Sequence, residues 1–336
     1  MPAATETVIY DQLFSLVGRA KKARVTDNIG NSQPTLDILH AGGRVEVEDG
    51  GESIEERLMY AEQDTEWMSD KQRVSTDDKE MITKAVFPWR FIVAPINISK
   101  TDELKAQKDD GAAMDFAESK IIGARQGIRT GTGTAIGGSQ SGKSILGFQD
   151  LIKADPTTGT LGGINQANNS WFRNQTYTTA LTFTTQTVTN IFNGWDQVGT
   201  YYELASDMNE EVTHITSGGT LYQKMLSTLE GQGYTRFMGG GQVKFGAVSG
   251  GGQNTGQGPM FRGAQIYKDR SMPASTIYGY SLSSIKLKIM QGANFAKTNF
   301  VATDASGVIG KVAFYIVGIQ LVTINPRRTF VLSNVS

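Results

Sequence analysis

Residues 44–98 constrain this chain most, because they read as one long β-hairpin that has little to hold it up alone. Val45 and Val47 alternate with Arg44, Glu46 and Glu48, the period-two pattern of a half-buried strand. The outgoing limb continues to about residue 60. The returning limb, 81–98, is rich in apolar, aromatic and β-branched residues, including Val86, Phe87, Trp89, Phe91 and Val93. Pro88 and Pro95 remove ladder donors, so this limb is expected to be an edge or irregular strand. Between the limbs, residues 62–79 are polar and acidic but contain Trp67 and Met68. An isolated two-stranded ribbon is marginal in water, so this one must lie on something, and its length points to a partner chain.

Charge sharpens that expectation. The formal net charge of −1 conceals two unlike parts. Residues 1–130 hold 23 acids and 17 bases, which leaves 10 acids and 15 bases for residues 131–336. Within the hairpin, residues 46–80 carry 13 acids and 4 bases. An acidic projection on a net-positive remainder is the pattern of surfaces that pair with one another.

Flanking segments fill in an α+β chain. Residues 1–43 read as an arm, with an apolar stretch at 12–17 followed by Arg19, Lys21, Lys22 and Arg24. Residues 99–129 are expected to be helical. Ser99 to Asp102 resembles a capping box, and Met114, Ala117, Ile121, Ala124 and Ile128 make one apolar stripe. Residues 130–180 are low in charge and rich in Gly, Thr, Ser and Asn. Residues 187–230 are expected to be mostly helical, in two pieces broken at 217–219. The 11 glycines in 231–258 read as a loop. Short alternating runs at 284–289 and 312–317 read as strands.

Several chemistries are excluded or set aside. The chain has no cysteine, which removes disulfide, zinc–thiolate, iron–sulfur and cysteine-nucleophile readings. Its two histidines, His40 and His214, are too few for a histidine-built metal site or a Ser-His-Asp triad. His214 is expected on a helix, as a structural residue. No window approaches the ~18 apolar residues of a membrane helix, and residues 1–10 carry no signal-peptide pattern.

Residues 137–144 match G-x-x-x-x-G-K-[ST], the phosphate-cradling P-loop, with Lys143 and Ser144 in the key places. A P-loop must leave a buried apolar strand, and residues 129–136 are polar and glycine-rich. The pairs Asp77-Asp78, Asp109-Asp110 and Glu210-Glu211 read as solvated charge, and Trp171, Phe172 and Arg173 as core packing rather than base stacking. No catalytic, cofactor or metal residue is assigned, and the chain is not read as an enzyme.

The run 145–175 carries a more specific signal. In order it holds Gly147-Phe148, Asp155-Pro156, Gly162-Gly163-Ile164 and Trp171-Phe172-Arg173-Asn174-Gln175. This order resembles a hallmark segment of the major capsid proteins of tailed double-stranded DNA bacteriophages. The run Phe261 to Asp269, then Pro273, Tyr280, Leu282 and 285–288, is similar to the late core strands of that family. Residues 49–54 and 59–62 resemble the start of its extended loop, and 318–322 with Asn325-Pro326 its closing strand. Two departures stand out: Met272 lies where several relatives have cysteine, and the glycine-rich loop at 239–258 is long.

The resemblance implies the Hong Kong 97 capsid fold, with an N-terminal arm (1–43), an extended loop and flanking peripheral strands (44–98), a peripheral domain whose spine helix and following loop occupy 99–144, a mainly axial domain (145–300), and return strands to the peripheral domain (301–336). It implies self-assembly into pentamers and hexamers of an icosahedral shell enclosing double-stranded DNA. Portal and scaffolding proteins, and a decoration protein, are the other implied partners. Met1 in place suggests that no large N-terminal segment is removed, which favours a separate scaffolding protein. Contact with DNA is expected to be weak and nonspecific, given the modest total charge. No cofactor or membrane association is expected, and the implied location is the virion, assembled in the bacterial host cytoplasm.

Tyr60, Trp67 and Met68 are expected to anchor the loop on a neighbour. The acids Glu52, Glu55, Glu56, Glu62, Asp64 and Glu66 are expected to face bases on a neighbouring subunit. Lys71 and Lys79 are candidates for a covalent lysine–asparagine bond, though no partner asparagine is apparent and noncovalent assembly is favoured. Two rival readings remain: a P-loop nucleotide hydrolase, and a non-viral protein compartment of the same fold.

Overall fold

The computed structural model describes residues 33–71, 73, 77–101, 110–183, 188–206, 210–231, 260–302 and 310–336. The apolar stretch and basic cluster of the arm, Asp102 of the capping box and the glycine-rich segment 232–259 lie outside the described residues. So do the side chains of Met114 and Ala117.

Two six-stranded sheets organise the chain. The first is built around β15 (Gly310–Thr323), 14 residues long. One side of β15 pairs with β4 (Arg90–Ser99), antiparallel, from Gly310 opposite Ser99 to Ile319 opposite Arg90. Its other side takes β12 (Ile285–Met290), β13 (Ala296–Lys297) and β14 (Val301–Ala302). Beyond β12 lies β1 (Val45–Glu48), parallel, with Glu46 opposite Lys288.

The single hairpin expected over 44–98 is therefore three units. β1 belongs to the first sheet. Gly50 and Gly51 then turn the chain with φ of 80° and 119° into the true hairpin, β2 (Ser53–Met59) against β3 (Ile82–Pro88), in register from Ser53 opposite Pro88 to Met59 opposite Ile82. After Trp89 the chain enters β4 and returns to the first sheet. Both prolines sit where their missing donors cost little: Pro88 ends β3, and Pro95 lies in β4, opposite Phe314.

Helix α1 (Pro34–Ala41) and the 28-residue helix α2 (Asp110–Gly137) cover one face of this sheet. The described part of the expected stripe is present, with Ile121, Ala124 and Ile128 buried. The helix does not stop at residue 129; it runs on to Gly137 through a Thr–Gly stretch that was expected to belong to the following loop. Each interior glycine costs roughly 1 kcal/mol of helix propensity, and packing offsets this. Thr132 and Ile136 are buried in this last part. A Cβ on Gly133 would sit 2.0 Å from Oε1 of Gln33, so the absence of a side chain lets the start of α1 come against α2.

The second sheet has the order β7 (Gln175–Tyr177), β16 (Thr329–Leu332), β11 (Ile277–Tyr280), β8 (His214–Ser217), β10 (Ala264–Lys268), β9 (Met260–Phe261). Helix α3 (Phe148–Leu151) lies on one face, where Phe148 meets the rings of Tyr278 and Tyr280 at 5.9 and 5.0 Å. The opposite face carries Ile266, Ile277, Phe330 and Leu332 into a second core with α4 (Val188–Ala205) and α5 (Gly219–Gly231). Alternate residues of β11 thus serve two cores, as the pleat requires.

The stretch expected to be helical throughout 187–230 contains β8 in its middle. His214 is a strand residue, not a helical one, and β8 is central, flanked by β10 and β11. The segment 145–300 contributes to both sheets, since β12 and β13 lie in the first, and the closing strands divide likewise between β15 and β16.

Two polar links, one buried and one part-buried, tie these layers together. Asp269 accepts hydrogen bonds from the backbone N and Oγ1 of Thr35 at 3.3 and 2.5 Å, and from N and Oγ of Ser271 at 2.9 and 2.5 Å. Arg129 on α2 donates to both carboxylate oxygens of Asp37 on α1 at 2.7 and 2.9 Å.

Candidate assembly surface

The β2–β3 ribbon has two unlike faces. Ile54, Leu58, Ala85 and Phe87 point inward and are buried. They lie against a small turn between β5 (Thr160–Leu161) and β6 (Ile164–Asn165). Val86 N donates to the Gly162 carbonyl at 2.8 Å. A Cβ on Gly162 would meet Ala85 Cβ and Phe87 Cζ at 2.9 Å, and its φ is +56°, so only glycine fits this approach.

The outward face carries Glu55, Arg57 and Met59 on β2, opposite Val86, Lys84 and Ile82 on β3. Met59 and Ile82 are 66% and 63% exposed, a cross-strand apolar pair in solvent. Lys84 Nζ donates to Glu55 at 2.8 Å.

Beyond the paired strands the limbs stay bracketed. Tyr60 N donates to the Met81 carbonyl at 3.0 Å, Gln63 Nε2 to the Asp77 carbonyl at 2.8 Å, and Lys79 to Asp64 at 2.9 Å. Past these ties Trp67 is 100% exposed and Met68 64% exposed. A fully solvated tryptophan held on a projection is an unusual use of a large apolar side chain.

The residues expected to form the interface are thus placed unequally. Glu52, Glu62, Asp64 and Glu66 are exposed along the ribbon and its tip, as are Trp67 and Met68. Glu55 is exposed and paired with Lys84. Tyr60 stacks on Trp171 of its own chain, centroids 5.4 Å apart and planes 25° from parallel.

Glu56 departs from the expectation. It lies on the inward face between Ile54 and Leu58, and its carboxylate is 2.7 Å from Lys288 Nζ in the same chain. Lys288, on β12, is 4% exposed and also meets Glu46 at 2.7 Å and Glu48. Lys286 pairs with Glu46 at 2.7 Å. Burial lowers the Lys288 pKa, but hydrogen bonds to the three carboxylates outweigh it and hold the ammonium well above an ordinary lysine. Partial burial raises the Glu46 pKa, and its bonds to Lys286 and Lys288 more than reverse that. Glu46, Glu48 and Glu56 are close enough to share a metal ion, but the Lys288 ammonium already supplies their cation.

Sequence reasoning missed Lys288. The signal was present: Lys286 and Lys288 alternate with apolar residues in the same period as Glu46 and Glu48, and Glu56 shares its strand face with Ile54 and Leu58.

The P-loop-like residues 137–144 begin at the end of a helix, not a strand. Gln140 N and Gly147 N donate to Asp150 Oδ2 at 2.6 and 3.1 Å, and Ser141 N to Ser144 Oγ at 2.8 Å. The amides of Gln140 and Ser141, within the loop that would cradle a phosphate, already have partners. His214 is buried, which lowers its pKa to about 4, and its Nδ1 lies 2.8 Å from Thr213 Oγ1. Glu211 accepts from the Tyr202 hydroxyl at 3.3 Å, and Glu210 lies 3.8 Å from Arg328. Among the carboxylate pairs singled out in the sequence, Asp109 and the side chain of Asp110 lie outside the described residues.

No protein-family model matches this sequence, and no curated protein matches it. Solved structures match its shape. The cyanophage A-1(L) capsid superposes with a TM-score of 0.63 at 14% identity, over 94% of this chain and 97% of that one. The capsid of an empty GTA particle gives 0.58 at 11% identity, over 99% and 100%. The encapsulin complex of Synechococcus elongatus gives 0.52 at 10% identity, over 96% and 95%. The chain has the fold of a capsid subunit.

For a capsid fold, the apolar surface left outside both cores is informative. Besides the ribbon, the outer face of the first sheet exposes Phe91 and Val93 on β4 and Phe314 on β15, on the side away from α2. A cleft of about 320 Å³ beside the ribbon is lined by Arg57, Tyr60, Trp171, Arg327 and Arg328. It lies where the stacked Tyr60–Trp171 pair meets the turn between β15 and β16. No described helix is long and apolar enough to cross a membrane.

Proposed function

We propose that this chain is a major capsid protein that assembles into pentamers and hexamers of an icosahedral shell enclosing double-stranded DNA. The observation that carries the reading is the projecting ribbon, whose tip holds a wholly solvated Trp67 on a fold that matches capsid subunits along nearly its full length. Burying such a residue on a neighbour gives repeated contacts an apolar centre, with the surrounding acids fixing register. Tyr60, by its stack on Trp171, sets the direction of the ribbon rather than anchoring the tip. The arm (1–43), extended loop (44–98), spine-helix segment (99–144), axial segment (145–300) and return strands (301–336) are assigned in the same reading. A portal and a scaffolding protein would complete the particle in the bacterial cytoplasm, with a decoration protein as a further surface partner. DNA contact would be weak and nonspecific, suited to a polyanion that must enter and leave.

The encapsulin likeness supports a second reading, a compartment enclosing cargo protein. One experiment separates the readings: express the chain in a bacterium, image the product by negative stain, and treat it with nuclease. Closed shells formed with the partner genes and protecting double-stranded DNA support the capsid reading. Shells that hold protein cargo and no DNA support the compartment. Uniform small monomers, with all partners present, would overturn both.

A further inference from the structure

From the two faces of the ribbon we infer that the receptor for one subunit's loop tip is the stem of the same loop on the next copy, at the outward face formed by Met59, Ile82, Arg57 and Lys84 and extended by Arg327. This rests on the assembly reading above and names its contact.

The tip and the stem are complementary in two respects. Residues 62–80 carry seven acids and three bases, and Trp67 and Met68 project among them. The stem face offers Met59 and Ile82, two-thirds exposed, with the Arg57–Lys84 cross-strand pair immediately below. Arg327 and Arg328 line the adjoining cleft together with Arg57. Glu55 offsets Lys84 and Glu210 lies near Arg328, which leaves the stem positive on balance. An apolar centre with a charged rim on each side is the anatomy of a specific contact.

A tip cannot use its own stem. The ties Gln63–Asp77 and Asp64–Lys79 brace the limbs against each other. The ten residues 60–69 can carry the tip up to roughly 35 Å outward. A tip-to-stem contact is also heterologous, so successive copies add in one rotational sense, and a rotation that closes makes a ring.

The test uses the full chain under shell-forming conditions. The stem variant is Arg57→Glu with Arg327→Glu, and the tip variant is Glu66→Lys with Asp70→Lys. All four side chains are exposed, so each subunit should fold, which circular dichroism and melting check. Either variant should lower the yield of closed shells at least tenfold, and all four changes in one chain should recover a third or more of it. An unchanged yield in the stem variant, or no recovery in the combined one, overturns the inference while wild-type shells leave the assembly reading standing. Absence of wild-type shells sinks the assembly reading itself. A second route does not depend on those variants. The chain has no cysteine, so Trp67→Cys with Ile82→Cys can be oxidised in assembled shells. A ladder of linked subunits that neither single variant gives supports the contact, and a ladder from Trp67→Cys alone, or none, refutes it.

Discussion

The ammonium of Lys288 lies 2.7 Å from the carboxylate of Glu56, and this pair fastens the base of the projecting ribbon to the first sheet. Glu46 and Glu48 on β1 complete the cluster. One buried cation on β12 thus holds β1 and β2, more than 200 residues away in sequence. Replacing Lys288 by methionine keeps most of the length of the side chain, removes the ammonium and leaves three carboxylates facing one another. The expected loss is about 2–4 kcal/mol by denaturant unfolding, because Glu56 is mostly buried while Glu46 and Glu48 keep some solvent. A loss below experimental error would show that the cluster does not fasten the ribbon.

The same cluster sets a pH dependence. Glu46 has a folded pKa below its unfolded value, so its contribution is present above the unfolded carboxylate pKa and is lost as pH falls through the folded one. Lys288 has a raised folded pKa, so its contribution is full below the unfolded lysine pKa and fades as pH rises through the folded one. The contribution of this cluster should therefore be flat across neutral pH and decline on both sides. Lys288→Met should weaken both the acid-side decline due to Glu46 and the alkaline-side decline. Unfolding midpoints measured from acid to strongly alkaline pH in both proteins check this, and identical profiles would exclude the cluster as their source.

Asp269 gives a third prediction. Its four hydrogen bonds join the start of α1 to the turn after β10. Alanine at this position strands the Thr35 and Ser271 donors, at a cost of roughly 2–4 kcal/mol. Asparagine keeps one acceptor oxygen and should cost about half as much. Thermal melting of the two variants beside wild type checks the order, and equal losses would mean that packing rather than hydrogen bonding sets the effect.

How far the sequence foretold these features depends on where each residue finds its partner. The α2 stripe and the strands β12 and β15 were legible because their periodicity is local. The split of the ribbon into β1, β2–β3 and β4 was not, because β1 pairs with β12 and β4 with β15, partners more than 200 residues away in the chain. The run of α2 through its Thr–Gly stretch was hidden for a related reason. Propensity disfavours it, and the compensating contact is Gln33 against Gly133. At the assembly surface, composition located the acidic ribbon but could not separate its members. The alternation of Ile54, Glu56 and Leu58 was the one cue that Glu56 points inward, and a count of charges overlooks it.

Gly162 should tolerate no side chain. Alanine there combines a positive φ with a Cβ 2.9 Å from Ala85 and Phe87, and either the turn or the ribbon must shift. The expected cost is about 2–3 kcal/mol, with faster proteolysis of the ribbon as the local sign. Gly163 also has a positive φ, of 77°, but a Cβ there meets nothing within 4 Å. Gly163→Ala should therefore cost only the conformational part, about 1 kcal/mol. If the two variants melt together, the close approach at Gly162 contributes nothing.

Trp67 separates folding from assembly most cleanly. Its side chain is wholly in solvent, so Trp67→Ala should leave the melting temperature of the dissociated subunit unchanged. If the ring is the apolar centre of a contact between copies, the same substitution should raise the concentration needed for shell formation several-fold. Trp67→Phe should fall between the two, since it restores part of the apolar area. Light scattering against subunit concentration reads this directly. The salt response adds a further discriminant: contacts through the acidic rim weaken as salt screens them, whereas burial of the ring does not. Added salt should therefore lower wild-type assembly only in part, and lower that of Trp67→Ala much further. A variant that assembles at the wild-type concentration would remove Trp67 from the interface, even though its exposure singles it out.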